Sequence, residues 1–292
     1  KRLNWIYAKH TKKNEDEILE LMSTFSETFE QIERNYVKDI DRRRLVEAAI
    51  RGMLKELDQY SNYISPEQLS RFNQSVSQEF GGIGIQVTPG LTVMTPLPGT
   101  PAYKAGIRAG DRIVEIAGQK TDSFPQGGEL QKAVSLLKGK PGESVSLGLR
   151  RAGVKEMIKV EVTRAIIKVP TVLGDRYGKD DQWNYLLDDK NKIGYVRLTH
   201  FARRTADELE TAMKKLKTQG ARAVVLDLRF NPGGLLSQAT RVSDLFIESG
   251  RIVSTKGRNI RERTWDATKR GTISDLPMAV LVNHFSASAS EI

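Results

Sequence analysis

The chain has 292 residues, 39% of them apolar and 28% charged, enough for two or three domains with cores of their own. It contains no cysteine, which removes disulfides, thiolate metal sites and a cysteine nucleophile together. Lys and Arg outnumber Asp and Glu by 46 to 36. The basic residues are spread in short runs such as KHTKK and DRRR, without interleaved aromatics, which reads as solvated surface and not as a nucleic-acid site.

Only three histidines occur, His10, His200 and His284, so a histidine-rich metal centre is not expected. No apolar run approaches the ~20 residues of a membrane span. Association with a membrane surface stays open. The sequence starts at Lys1 without an apolar leader, so location is not legible from its beginning.

Residues 16–60 predict helices. Ile18, Leu21, Met22, Phe25, Phe29, Ile32 and Tyr36 recur at steps of three and four, and Leu45, Val46, Ala49, Ile50, Met53, Leu54 and Leu57 form a second stripe. Two amphipathic helices joined near KDIDRR are expected, their stripes packed on each other or on a later domain.

From Phe80 the texture turns to strands. GGIGIQV and LTVMTPL are followed by TPAYKAGIRAGDRIVEIAGQKT, a helical GELQKAVSLLKG, and the β-like SVSLGLRR and KEMIKVEVTR, about ninety residues in all. In FGGIGIQV, Gly81, Gly82 and Gly84 allow a tight turn that points successive N–H groups inward, over a floor of Ile83 and Ile85. Such a nest suits a carboxylate, and the strand edge beside it can accept an extended peptide. The helix around Glu129 to Leu137 would form the other wall. Taken alone, the same residues also describe a glycine-rich turn that binds nothing.

After about residue 166 strands alternate with helices. IGYVRLTHF predicts a strand, and Thr205 with Glu208 predicts a capping box for a helix closed by Gly220. RAVVLDL predicts a buried strand, LLSQATRVSDLFI a helix, RIVSTK a strand and MAVLVN a last buried strand. Two turns carry chemical interest. In VVLDLRFNPGGLL a strand ends at Asp227, and Asn231, Pro232, Gly233 and Gly234 bend into a helix whose first N–H groups could hold an oxyanion. In NHFSASASEI a strand ends in small residues, where a serine would stand exposed with the next N–H beside it. Asp227 and Arg229 are expected to brace the first turn. A tight bend and a serine-capped helix start are the plain readings of the two in isolation.

Together these stretches resemble the C-terminal processing peptidases, tail-specific serine proteases of the S41 type. LDQYSNYISP matches the family's helical N-terminal part, and FGGIGI with AGIRAGDRIVEIAG matches its PDZ domain. LDLRFNPGG and NHFSASASEI match its two core signatures. The resemblance implies a multi-domain α+β chain: N-terminal helices over 1–75, a PDZ-like β domain over 76–165, and an incomplete α/β (ClpP/crotonase-like) protease core over 166–292. It implies Ser288 as nucleophile, with Ser286 and Ser290 structural. The oxyanion donors would be the N–H of Ala289 and of Gly234, preferred over Gly233. Gly82, Ile83, Gly84 and Ile85 would hold the substrate's C-terminal carboxylate.

The family's general base is a lysine, supported by a glutamine, further along than Ile292, so the chain is expected to be cut before its base and inactive by itself. His284 has no catalytic counterpart in the family, and His200 is expected at the surface. No metal or organic cofactor is implied. The implied partners are proteins or peptides with a free C-terminus, with an adaptor protein as a further candidate and no nucleic acid. The implied location is periplasmic or otherwise extracytoplasmic. The alternative is a PDZ-containing binding or scaffold protein with an inactive S41-like domain.

Overall fold

The computed structural model describes residues 12–178, 182–269, 271–273 and 276–292; His10 and most of the KHTKK run lie outside them. The chain divides into two compact units, residues 1–70 and 71–292.

The first unit is helical. α1 (Lys12–Asn35) and α2 (Arg42–Lys55) lie either side of the expected joint, and Asp41 caps α2 by accepting from the N–H of Arg43 at 2.8 Å. An Arg42–Glu33 ion pair ties the two together. α3 (Pro66–Ser77) starts with a capping box, in which Ser65 Oγ accepts from the Gln68 N–H and Gln68 Oε1 accepts from the Ser65 N–H. The apolar stripes do not bury each other. Ile18, Leu21, Met22, Phe25, Val46 and Met53 are exposed, and α2 has no buried residue. A pair of helices offers each stripe too little apolar surface to cover it.

The second unit begins with β1 (Glu79–Gly82), β2 (Ile85–Val87) and β3 (Val93–Pro96). A short α4 (Pro101–Lys104) follows, then β4 (Arg112–Ile116), β5 (Gln119–Lys120), α5 (Glu129–Leu137), β6 (Ser144–Arg150), β7 (Ile158–Thr163) and β8 (Ala165–Lys168). β5, β4, β6 and β7 make an antiparallel sheet, β2 pairs with β3, and β8 returns to pair with β1. Alternation along β6 buries Val145, Leu147 and Leu149 with Ile113, Ile116, Ala133 and Leu137. Behind the AGIRAGD stretch, the buried Asp111 carboxylate takes both Nε and Nη2 of Arg151 at 2.7 and 2.8 Å. That bidentate bond holds its pKa below the usual carboxylate range, against the opposing effect of burial.

The remainder is α/β. β9 (Val172–Leu173), the pair β10 (Arg176–Tyr177) and β11 (Trp183–Asn184), and β12 (Leu186–Asp188) precede β13 (Ile193–Leu198). Then come α6 (Thr205–Thr218), β14 (Ala223–Asp227), α7 (Leu236–Asp244), the hairpin β15 (Arg251–Gly257) and β16 (Ile260–Asp266), and β17 (Met278–Leu281). β13, β14 and β17 run parallel, with β12 and β9 antiparallel against β13. α6 lays Leu209, Ala212, Met213 and Leu216 on this sheet, and the carbonyl of Leu216 accepts from Ala221 N–H where Gly220 (φ +75°) ends the helix.

Two expectations give way here. Thr205 and Glu208 do not cap α6 reciprocally. Glu208 Oε2 accepts from the N–H and Oγ of Thr171 and the N–H of Val172, while Thr205 Oγ1 accepts from Ala202 N–H. The strand start at Thr171 presents two N–H donors to one carboxylate, and these win over one cap bond. β17 is also not buried. Met278, Val280 and Val282 are exposed, because β17 pairs only with β14 among the described residues and is an edge strand.

Candidate active site and peptide groove

The register of the parallel sheet assembles the serine site. Asp227 pairs with Leu281, so β14 and β17 release their loops side by side at the carboxyl ends of the strands, where open α/β sheets carry their ligands. Leu228 N–H donates to the Leu281 carbonyl at 2.8 Å and prolongs the pairing. Beyond it the NPGG and SASAS segments are stitched together. Ser286 Oγ donates to the Leu228 carbonyl at 2.8 Å, Ala287 N–H to the Asn231 carbonyl at 3.1 Å, and Ser290 Oγ to that same carbonyl at 3.0 Å. Ser286 and Ser290 are thus fasteners.

Asn231 is the hub of this turn. Fully buried, it donates from Nδ2 to the Leu198 carbonyl at 3.0 Å and accepts at Oδ1 from Gly233 N–H at 2.9 Å. Gly233 (φ +96°) needs to be glycine: a Cβ there would stand 2.6 Å from the Ala287 carbonyl oxygen and 2.9 Å from Ser288 Cβ. At Gly234 (φ +147°) a Cβ would stand 2.3 Å from the Phe201 carbonyl oxygen, which itself accepts from Leu235 N–H.

Ser288 sits in the left-handed region at φ +56°, entering a single 3₁₀ turn (Ser288–Ser290). Such a conformation costs a non-glycine residue about 1 kcal/mol or more. The turn is held by its own N–H, which donates to Glu291 Oε2 at 2.6 Å, and by Glu291 N–H donating to the Ser288 carbonyl at 2.8 Å. The Ser288 side chain is exposed and Ala289 is buried beneath it. Among the described residues, the N–H groups of Ala289 and Gly234 donate to no protein acceptor, whereas that of Gly233 is committed to Asn231.

The Asp227–Arg229 brace is present and includes a member that sequence reasoning missed. Asp227, 1% exposed, accepts from Arg229 N–H, Nε and Nη2 at 2.8–3.0 Å and from the Tyr195 hydroxyl at 2.6 Å. Burial works against its charge, but the Arg229 and Tyr195 hydrogen bonds prevail and hold its pKa at about 2. Burial, then the bond to Asp227, raises that of Tyr195. Tyr195 and Asp227 lie 32 positions apart, and only their adjacency on β13 and β14 unites them. Asn283 was also missed: its Oδ1 accepts from the N–H groups of both Phe230 and Phe285, at 3.0 and 3.2 Å.

No base is found beside the serine. Among the described residues, no side chain hydrogen-bonds to Ser288 Oγ. His284 is exposed, its ring 3.8 Å from that of Phe285. His200, in the loop after β13, is half-buried, and burial lowers its pKa. No cluster of His, Asp or Glu able to hold a metal ion occurs among the described residues, and no helix there is long and apolar enough to cross a membrane.

The second site is a groove of about 500 Å³ between β2 and α5, lined by Gly82 to Val87, Met94, Leu130, Val134 and Leu137. The Ile83 carbonyl is tied back to Ala102 N–H at 2.9 Å, and the Gly84 carbonyl to Leu97 N–H at 2.8 Å and Thr100 Oγ1 at 3.1 Å. The N–H groups of Ile83 and Gly84 donate to no acceptor among the described residues. Gly84 (φ +83°) is required: a Cβ would stand 2.4 Å from Thr100 Cβ. Ile83 is buried in the domain core, while Ile85 is half-buried at the groove. Lys138 closes one end, its ammonium 5.3 Å from the Phe80 ring centre.

A β domain with a peptide-sized groove, joined to an α/β sheet with a serine turn at its carboxyl edge, defines a PDZ-bearing hydrolase fold. Three stretches match known families: residues 3–68 the N-terminal domain of the activating protease CtpB, residues 92–151 the PDZ domain, and residues 192–292 peptidase family S41. A carboxy-terminal-processing protease of Bartonella bacilliformis is 38% identical over 290 residues, covering 97% of this chain and 63% of that protein. The carboxy-terminal processing protease CtpA of Bacillus subtilis is 38% identical over 272 residues, covering 91% of this chain and 54% of that protein. A solved photosystem II D1 C-terminal processing protease aligns with 91% of this chain and 75% of its own, at 28% identity and a TM-score of 0.40. Residues 192–292 belong to peptidase family S41, and both curated relatives are carboxy-terminal processing proteases. The chain spans little more than half the length of these two curated relatives.

Proposed function

We propose that the chain is the substrate-capturing and nucleophile-bearing part of a serine endopeptidase that acts on protein C-termini. The observation that carries this reading is Ser288, held exposed on left-handed backbone against Gly233, with the unused N–H donors of Ala289 and Gly234 in the same two segments. Ser288 Oγ gives its proton to the base and attacks the peptide carbonyl, and the two N–H groups stabilise the resulting oxyanion. The C–N bond breaks as the amine half leaves with that proton, and water hydrolyses the acyl-serine ester. The PDZ groove supplies the substrate: a free carboxylate meets the N–H groups of Ile83 and Gly84 while the peptide lies along β2 as an added strand.

The base of this proposal is a lysine that does not belong to residues 1–292, its proton released readily when buried. Ser288→Ala in the complete protein is expected to abolish cleavage, by roughly 10⁴-fold or more, with peptide binding at the groove intact. Cleavage that survives the substitution would refute the assignment. The 292 residues alone are expected to show no turnover, and labelling of Ser288 by a fluorophosphonate in that chain would contradict it.

One second reading rests on the groove, whose Ile83 and Gly84 N–H groups donate to no acceptor among the described residues: a PDZ-containing binding protein whose hydrolase part is silent. A complete protein that binds free-carboxylate peptides and cleaves none would establish it.

A further inference from the structure

Two aromatic rings stand in water at the lip of the serine turn. Phe230 is 59% exposed and Phe285 is 52% exposed, and they stack with centroids 5.4 Å apart and planes 23° from parallel. Neither belongs to a core cluster. Asn283 Oδ1 fixes both backbones at once, and Phe230 is held at φ +63°, where an aromatic residue pays conformational strain. We propose that the stacked rings form the subsite for a large apolar side chain of the substrate, next to the bond that Ser288 attacks.

Position argues for this occupant. Phe285 precedes Ser288 by three residues, and Phe230 precedes by three the Gly233 that packs on Ser288 Cβ. Three residues reach at most ~11 Å. An extended peptide advances about 3.3 Å per residue, so a substrate held at Ser288 carries a residue within about three steps of the bond onto the rings. Chemistry narrows the occupant further. An exposed aromatic pair continuous with a binding site gains most by covering apolar surface. The charge of Arg229 beside Phe230 is answered by Asp227, which leaves the rings as an apolar surface. Two rigid rings also cost little entropy on binding, which suits a specificity surface. The proposal rests on Ser288 as the attacking residue.

The test uses amidated peptides, which deny the groove its carboxylate, in pairs that differ by Leu or Ser at the residue beside the cleaved bond. In the complete protein the Leu peptide is expected to be cleaved with kcat/KM about ten-fold or more above the Ser peptide. Phe230→Gly, which suits the positive φ and should fold normally, and Phe230→Gly with Phe285→Ser should flatten that ratio towards one. Calorimetry on the 292-residue chain provides a readout free of catalysis, with the same Leu-over-Ser preference in affinity and the same flattening. An unchanged ratio in the double variant overturns the subsite. So does concentration-dependent self-association that the double variant abolishes, since the rings would then serve a second copy. If Ser288→Ala leaves cleavage intact, the hydrolase reading fails, and the calorimetric ratio still decides the subsite.

Discussion

The turns at 81–84 and 231–234 use one device to different ends. Each employs glycine to leave a pair of N–H groups without an acceptor among the described residues, Ile83 with Gly84 in the first, Gly234 with Ala289 in the second. The first is local: four consecutive residues build it, and Leu97 N–H and the Thr100 hydroxyl hold the Gly84 carbonyl from outside. The second draws its donors from segments 55 positions apart and depends on the β14–β17 register to bring them together. A local nest should survive damage to the sheet, and a composite one should not.

The most severe way to break the composite turn is Gly234→Val. Its Cβ would meet the Phe201 carbonyl oxygen, a backbone atom that cannot step aside. A stability loss of about 3–5 kcal/mol is expected, measured by denaturant unfolding, with cleavage at background. Survival of cleavage would detach Gly234 from the mechanism.

Gly84→Val tests the local nest in turn. It forces a β-branched residue to φ +83° against Thr100, at a cost of about 2–3 kcal/mol. Affinity for free-carboxylate peptides should fall about ten-fold or more, while amidated peptides, which never used the nest, should be unaffected. Equal losses for the two would argue against carboxylate recognition.

Asp227→Asn sharpens the contrast. It removes a buried charge from Arg229, which is open enough to hydrate, so about 2–3 kcal/mol is expected. Cleavage should weaken with groove affinity unchanged. The folded pKa of Asp227, about 2, lies below its ordinary value of 3.8. Its contribution is therefore complete above roughly pH 4 and disappears as the pH falls towards 2, about 2 kcal/mol in all. Unfolding midpoints measured through that window should fall in the parent chain and less steeply in Asp227→Asn.

Local patterns made much of this architecture legible. Steps of three and four marked α1, α2 and α6, alternation marked β6 and β13, and glycine-rich stretches marked both nests. The two core signatures also marked the two turns that the β14–β17 register brings together. Long-range contacts stayed hidden, because no spacing in the sequence announces them. Tyr195 on Asp227, Asn283 bridging two phenylalanines, and Glu208 serving Thr171 each span more than thirty positions or join separate loops. Exposure was misjudged for a related reason. The stripes of α1 and α2 and the strand β17 are apolar enough for a core, but burial needs a neighbour that periodicity cannot count.

The left-handed backbone at Ser288 sets fitness against durability. Glycine is the residue that this φ prefers, so Ser288→Gly is expected to melt higher than the parent, by about 1 kcal/mol in stability, while losing the hydroxyl. A search for thermostable variants that scored folding alone would select that substitution early. Serine stands there against the preference of its own backbone.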